Sequence, residues 1–185
     1  MTNRRRRPRG APEDQGSPRH PTVRTAAGRT LTCFPAAVLA FIVDDWGRFL
    51  LLRKPGQTGW EVVSGALQAG ETVPQGVLRE VKEEAGPELL AVYKGVIDTF
   101  VFEFDARLPA LISICCLLRY RGGEVHPGAD AKDAEFRWWD ISRLDDIELV
   151  VPRGRWDLLT RAVDQASLFR GEEEPEPEQR DPFLF

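Results

Sequence analysis

The sequence predicts one α/β domain in which a mixed β-sheet lies between helices, an α/β/α sandwich. Two observations support this fold class. The 185 residues and 42% apolar content suit a single domain with one core. Segments with strand and helix patterns also follow one another in the order strands, helix, strands, helix, without a repeat. No apolar run approaches the roughly 20 residues of a membrane helix, so we expect no spanning segment.

The strand patterns occupy most of the middle of the chain. Two apolar runs at residues 36–43 and 48–53, joined by a polar turn that ends in Gly47, predict a hairpin. Helices are predicted over residues 73–85 and from Pro152 to about Phe169. The remaining predicted strands cover residues 60–63, 89–104, 111–121 and 135–140.

The net charge of -4 is divided unevenly along the chain. Residues 1–30 carry a net charge of +6, residues 31–170 carry -5, and residues 171–185 carry -5. Both ends are poor in apolar residues, so we expect disordered tails at 1–30 and 171–185 around a domain at 31–170. The balance excludes a nucleic-acid binder that uses the whole chain. A solvated basic tail is the favoured interpretation, and contact of this tail with RNA is the alternative.

The cysteines and the chain start predict a cytoplasmic protein. Cys33, Cys115 and Cys116 have neither the number of a disulfide framework nor the spacing of zinc ligands, as in a reducing compartment. The arginines before residue 34 imitate a signal peptide, but the apolar run ends in Asp44-Asp45 without a small-residue cleavage site.

The helix at 73–85 has well-defined ends. Thr72 and Gln75 have the spacing of a capping box, and Pro74 lies in the first turn, where its missing N–H costs nothing. Gly86 can take a left-handed conformation after the last turn, and Pro87 forbids continuation.

One face of this helix is acidic. At 100° per residue the apolar side chains share one side, and the three carboxylates of Glu80, Glu83 and Glu84 share another. Exposed like charges at this spacing repel by a few tenths of a kcal/mol per pair. The cluster is either a solvated acidic face or a site for a hard cation such as Mg²⁺, which prefers oxygen ligands.

The loop before the helix favours the cation site. Gly65 and Gly70 bracket a tight turn that ends in Glu71. Since Gly65 has no side chain, its backbone carbonyl can approach a metal or a phosphate closely.

The full pattern resembles the signature of the Nudix hydrolases at every fixed position. It runs from Gly65 through five residues to Glu71, then through seven residues to Arg79-Glu80-Val81-Lys82-Glu83-Glu84-Ala85-Gly86. The resemblance covers roughly residues 33–168. The chain departs from it at Val63-Ser64, Gly76 and Pro87, and none of these departures removes a catalytic position.

The resemblance implies a divalent cation and a pyrophosphate substrate. Glu80, Glu83 and Glu84 would ligate Mg²⁺ or Mn²⁺ together with the Gly65 carbonyl, and a pair of Arg79 and Glu71 would orient them. The implied reaction is attack of water on phosphorus in a nucleoside diphosphate linked to another group.

Other roles stay open at the sequence level. The general base is Glu80 or an acid of the later loop, where Asp130, Asp133 and Glu135 are available. Arg53 and Lys54 are candidates for binding substrate phosphate.

The particular substrate also stays open. Some branches of the family carry a proline or a tyrosine about 15 to 18 residues beyond the signature, and this chain has neither there. The alternative function is a catalytically silent nucleotide-sensing or regulatory module, and the retained carboxylates argue against it. A homodimer is compatible with the sequence.

Overall fold

An eight-stranded mixed β-sheet with one helix on each face confirms the predicted fold class. The computed structural model describes residues 21–103, 108, 110–152 and 155–169. The strands are β1 (Thr22–Arg24), β2 (Thr30–Thr32), β3 (Ala36–Val43), β4 (Phe49–Arg53), β5 (Trp60–Glu61), β6 (Val63–Ala66), β7 (Leu90–Phe102), β8 (Leu111–Gly122), β9 (Glu135–Trp139) and β10 (Leu149–Val151). The helices are α1 (Val73–Ala85) and α2 (Trp156–Ser167).

The sheet has the strand order β10-β5-β4-β3-β8-β7, with β6 paired to β3 and β9 paired to β4. The pairs β3–β8 and β10–β5 are parallel. The other pairs in this sheet are antiparallel. β4 pairs with β3 next to the turn and with β5 and β9 further along. The end of β4 that lies away from the turn is near α1.

Each face of the sheet carries its own apolar core. Because side chains alternate along a strand, Leu51 of β4 packs towards α2, whereas Leu50 and Leu52 pack towards α1. Val77 and Val81 of α1 are fully buried against this second face. Burial of each such side chain contributes about 1.5–3 kcal/mol to folding.

Three elements differ from the sequence prediction. β1 and β2 form a separate, exposed hairpin within residues 21–33, so ordered backbone begins before the predicted boundary at residue 31. The expected short strand at 60–63 is split, since β5 pairs with β4 and β6 pairs with β3. The final helix begins at Trp156 rather than Pro152, because the residues before Pro152 form β10 beside β5.

Residues 1–20 of the predicted basic tail and the whole predicted acidic tail at 171–185 lie outside the described residues. All three cysteines are free, and burial raises the thiol pKa of Cys115 and Cys116 to about 12. These two side chains therefore behave as small apolar residues. In the described part of the chain, neither helix is long and apolar enough to cross a membrane.

Candidate metal and phosphate site

The ends of α1 follow from its sequence. Thr72 and Gln75 form the predicted capping box, with the Thr72 backbone N–H donating to Gln75 Oε1 at 2.9 Å. Gly86 takes a positive φ of 96°, but its ψ of 153° is extended rather than left-handed helical. Only glycine adopts this region readily. A Cβ at Gly86 would lie 2.8 Å from the carbonyl oxygen of His126.

The acidic face of α1 is largely buried, so it is not a solvated face. Glu80 is 7% exposed and Glu84 is 3% exposed, while Glu83 is half-buried. Burial raises the pKa of the Glu80 carboxyl; Arg79 opposes this rise, and the charges of Glu83 and Asp130 add to it. Burial likewise raises the pKa of Glu84. A helix face that buries two carboxylates is costly unless cations compensate it.

Arg79 gathers three carboxylates around one guanidinium. Its Nε donates to Glu71 Oε1 at 2.6 Å, and its Nη1 donates to Glu80 Oε1 and to Glu83 Oε2, both at 2.7 Å. Its Nη2 donates to the Ala66 carbonyl at 3.0 Å, which ties the guanidinium to β6. The hydrogen bond from Arg79 lowers the pKa of Glu71. Arg79 and Glu71 thus form an ion pair that fixes the orientation of the α1 carboxylates.

Lys54 holds the third α1 carboxylate, together with one that the sequence analysis did not single out. Its Nζ lies 2.9 Å from Glu84 Oε1 and 3.1 Å from Glu61 Oε1. The second oxygen of Glu84 accepts from the Ser64 backbone N–H at 3.0 Å. Although burial disfavours the ammonium, the contacts with Glu84 and Glu61 outweigh it and raise the pKa of Lys54.

Gly65 lies against the Glu80 carboxylate. A Cβ at this position would lie 2.1 Å from the carboxyl carbon of Glu80, so a side chain here would displace it. Gly65 pairs with Val38 within β6, which fixes its backbone next to α1. The structure thus places Gly65 beside Glu80, and the approach of its carbonyl to a metal or a phosphate stays a prediction.

The loop after β8 is bound to the end of α1. The backbone N–H groups of His126 and Gly128 donate to the carbonyls of Ala85 at 3.0 Å and Glu84 at 2.8 Å. These bonds bring Asp130 close enough to Glu80 for its charge to raise the pKa of Glu80. Asp133 is exposed in the turn before β9, with a positive φ of 61°.

Two predicted residues lie on the other face of the sheet. Arg53 and Glu135 are direct partners in the β4–β9 ladder, and the Arg53 guanidinium donates to the Glu135 carboxylate. Arg53 also stacks over Trp60, 4.9 Å from its ring centre, within the core on the α2 side. Since successive residues of a strand point to opposite faces, Arg53 points away from the α1 carboxylates that Lys54 contacts.

A different group of potential ligands lies at the surface. Glu88, Glu124 and His126 have ligand atoms within 4.8 Å of one another, and all three are exposed beyond the end of α1. Water screens such groups, and His126 Nε2 lies 3.0 Å from Glu124 Oε2.

The α1 site contains more acids than cations. Among the described residues, five carboxylates share two cationic side chains, Lys54 and Arg79; the acids are Glu61, Glu71, Glu80, Glu83 and Glu84. Oxygen donors in excess of their counter-charges are the donor set of a hard divalent cation. The residues present therefore fit Mg²⁺ or Mn²⁺.

The fold and the site define an α/β protein with a mixed sheet between two helices and clustered carboxylates on one of them, beside a glycine on a neighbouring strand. The comparison with known families gives the particular class. A family model described as the NUDIX domain matches residues 34–160, and the chain belongs to the Nudix family.

Relatives with assigned names differ in what they act on. The chain is 34% identical over 60% of its length to an ADP-ribose pyrophosphatase of Methanocaldococcus jannaschii. It is 31% identical over 71% of its length to an NAD-capped RNA hydrolase of Vibrio atlanticus. The chain spans 64% and 46% of these two proteins, less than two thirds of either.

Solved structures share the fold at lower identity. A NUDIX-family hydrolase from Clostridium perfringens has a TM-score of 0.58 at 17% identity, covering 72% of this chain and 97% of its own. An ADP-ribose pyrophosphatase from Streptococcus suis has a TM-score of 0.56 at 20% identity, covering 77% and 97%.

Proposed function

We propose that this chain is a divalent-metal-dependent pyrophosphohydrolase. Its substrate would be a nucleoside diphosphate linked to another group, and water would attack one phosphorus of the pyrophosphate. The observation that carries the proposal is the excess of carboxylates over cations around α1, with Glu80 and Glu84 buried. A protein without a cation ligand would gain stability by replacing these acids.

The α1 carboxylates would hold the metal. Glu80, Glu83 and Glu84 supply hard oxygen donors, and Gly65 leaves room beside Glu80 for a backbone carbonyl to approach. A bound Mg²⁺ or Mn²⁺ would neutralise phosphate oxygens and lower the pKa of a bound water molecule.

Side chains of the protein would orient the metal-binding carboxylates and remove a proton from the attacking water. Arg79, fixed by Glu71 and by the Ala66 carbonyl, positions Glu80 and Glu83. Glu80 is one candidate for the proton acceptor, because its buried carboxylate lies beside Gly65 and is held by Arg79. Asp130 is the loop acid whose charge reaches Glu80, and it is the second candidate for this role.

The names of the relatives support the proposed substrate class. The named relatives include an ADP-ribose pyrophosphatase, an NAD-capped RNA hydrolase and a dihydroneopterin triphosphate diphosphatase. The first name implies cleavage of a pyrophosphate in a nucleotide derivative, and the second names a nucleotide-capped substrate, which supports that class for this chain.

A substrate panel tests the proposal. The full chain is incubated with Mg²⁺ or Mn²⁺ and ADP-ribose, nucleotide sugars, dinucleoside polyphosphates, or nucleoside di- and triphosphates, and the products are separated by chromatography. We expect cleavage of at least one substrate between phosphorus atoms, and complete loss of cleavage with a chelator.

Two results would contradict the proposal. Cleavage that persists in excess chelator would exclude the metal role. Nucleotide binding detected by calorimetry, without turnover of any panel member, would instead support the sensing module.

A further inference from the structure

Two buried carboxylates from different elements face a single ammonium group beside α1. Glu61 of β5 is 5% exposed and Glu84 of α1 is 3% exposed. Lys54, the residue after β4, places its Nζ 3.1 Å from Glu61 Oε1 and 2.9 Å from Glu84 Oε1. The ammonium therefore lies between a carboxylate of the signature helix and one outside the signature.

The two carboxylates differ in how well they are satisfied. Glu84 uses both oxygens, since Oε1 meets Lys54 and Oε2 accepts the Ser64 N–H at 3.0 Å. Glu61 Oε1 is buried, and among the described residues its one printed contact is the ion pair with Lys54 at 3.1 Å, without a further hydrogen bond such as the one that Ser64 gives to Glu84. A buried carboxylate oxygen with only this contact is costly, and it can accept a further cation.

The charges at this point do not balance. Glu61 and Glu84 carry two negative charges against one on Lys54. The Lys54 side chain is 34% exposed and sits on a flexible four-carbon stem, so it can leave without opening the core. A divalent cation would balance the two carboxylates fully.

We propose that Glu61 is an additional carboxylate of the cation site, and that Lys54 and the divalent cation compete for Glu61 and Glu84. This inference rests on the proposed function for the presence of a metal at Glu84. When the cation binds between the carboxylates, the ammonium is released towards solvent, where it can meet a substrate phosphate. The alternative is a structural ion pair that only ties β4 to β5 and α1.

Binding of Mn²⁺ to the full chain separates these alternatives. The affinity is measured by electron paramagnetic resonance of free Mn²⁺ in the wild type, Lys54→Met and Glu61→Gln. Loss of the competing charge in Lys54→Met should tighten Mn²⁺ binding about tenfold. Loss of a carboxylate in Glu61→Gln should weaken it about tenfold or more.

Arg53→Met is the matched control. It removes the same charge at the neighbouring position, but Arg53 points to the opposite face and contacts Glu135. We expect its Mn²⁺ affinity within about twofold of the wild type. An equal gain of affinity in Arg53→Met and Lys54→Met would reduce the effect to net charge and overturn the proposal.

Thermal unfolding gives a second readout. Without metal, Lys54→Met leaves two buried carboxylates unpaired, so its Tm should be lower than that of the wild type. Saturating Mn²⁺ should raise the Tm of Lys54→Met more than that of the wild type. A structural ion pair predicts a lower Tm that Mn²⁺ does not preferentially restore, together with unchanged or weaker Mn²⁺ binding.

The double variant keeps the test decisive if Lys54→Met folds poorly. Lys54→Met with Glu61→Gln removes one charge of each sign, and it should bind Mn²⁺ more tightly than Glu61→Gln alone. Equal or weaker binding overturns the competition. Since none of these measurements needs turnover, the competition can hold while the substrate panel fails, and a metal-dependent hydrolase can lack it.

Discussion

The two faces of the sheet differ in how many cations accompany their acidic side chains. On the α2 face, Asp98 of β7 and Asp157 of α2 share two cations, Arg155 and Arg161. On the α1 face, five carboxylates share two cations, and Glu84 and Glu61 share Lys54. The two acids on the α2 face are matched by two cations, whereas the five acids on the α1 face outnumber their cations.

Acids with matched charges stabilise the fold, whereas we propose that the unmatched acids bind a cation. Matched pairs can stabilise a protein modestly, and buried acids without full compensation destabilise it. An excess of acids is therefore informative only where it is buried, as at Glu80 and Glu84. The comparison predicts that substitutions on the α1 face change activity and that those on the α2 face change stability.

The largest effect is expected from the signature carboxylates. Glu84→Gln and Glu83→Gln should each lower turnover of the substrate that the panel identifies on the order of 10²- to 10³-fold, as for loss of a preorganised electrostatic group. The Tm without metal should equal or exceed that of the wild type, because glutamine keeps the shape and a hydrogen-bonding carbonyl while it removes an uncompensated charge. Steady-state kinetics and thermal unfolding of each variant measure the two quantities.

Asp98→Asn is the control on the opposite face. It removes an acid charge from a partly exposed side chain, as Glu83→Gln does, but should retain wild-type turnover. Wild-type turnover in both glutamine variants would contradict the assignment of the α1 face, as would an equal loss in Asp98→Asn.

The acids of the later loop should differ in the same way. Asp130→Asn should lower kcat on the order of 10²-fold, because Asp130 lies close enough to Glu80 for their charges to interact. Glu135→Gln should change kcat by less than about twofold, since Glu135 pairs with Arg53 on the α2 face. A larger loss in Glu135→Gln than in Asp130→Asn would reverse the assignment of the two acids.

Substitution of two glycines in the signature should change turnover less than substitution of its carboxylates. Gly65→Ala would place a Cβ 2.1 Å from the Glu80 carboxyl carbon, so Glu80 must move, and we expect about a tenfold loss of turnover. The Cβ of Gly76→Ala would meet the terminal methyl group of Leu67 at 2.5 Å and Glu71 Oε2 at 3.1 Å. The methyl group can rotate away, and Glu71 needs to shift by only a few tenths of an ångström. Alanine also favours the helix over glycine by up to about 1 kcal/mol. Gly76→Ala should thus keep its activity and its Tm, and a greater loss there than in Gly65→Ala would be inconsistent with this packing.

The sequence predicts the parts of the fold that depend on local signals. The capping box at Thr72 and the Gly86-Pro87 stop gave the bounds of α1 as observed, residues 73–85. The three-residue strands β1, β2 and β10 were missed, because strands this short form only through their partners. Their pairing is a property of the tertiary structure, which no local window contains.

The residues of the candidate site were likewise predicted where a local pattern marks them and missed where they depend on strand pairing. Helical spacing placed Glu80, Glu83 and Glu84 on one face of α1, as the structure has them. The contact of Lys54 with Glu61 needs β4 beside β5, so it could not be read from the chain. Arg53 and Lys54 were grouped because they are adjacent, although strand alternation sends neighbours to opposite faces. That distinction was available from the sequence and would have separated them.

The smallest expected effect lies on the α2 face and concerns pH. The hydrogen bond from Arg155 holds the pKa of Asp98 below its ordinary value. A carboxyl with a lowered folded-state pKa contributes stability above its unfolded pKa of about 3.9, and this contribution is lost as the pH falls through the folded-state pKa. Asp98→Asn should therefore lower the Tm at pH 7, by about 2–4 °C. The difference from the wild type should shrink below about pH 4 as Asp98 becomes protonated.

Asp164→Asn, on the exposed side of α2, is the control and should leave the Tm unchanged at both pH values. Thermal unfolding followed by circular dichroism from pH 7 to pH 3 tests this, and a Tm difference that grows towards acid would refute a stabilising role for the Asp98 charge.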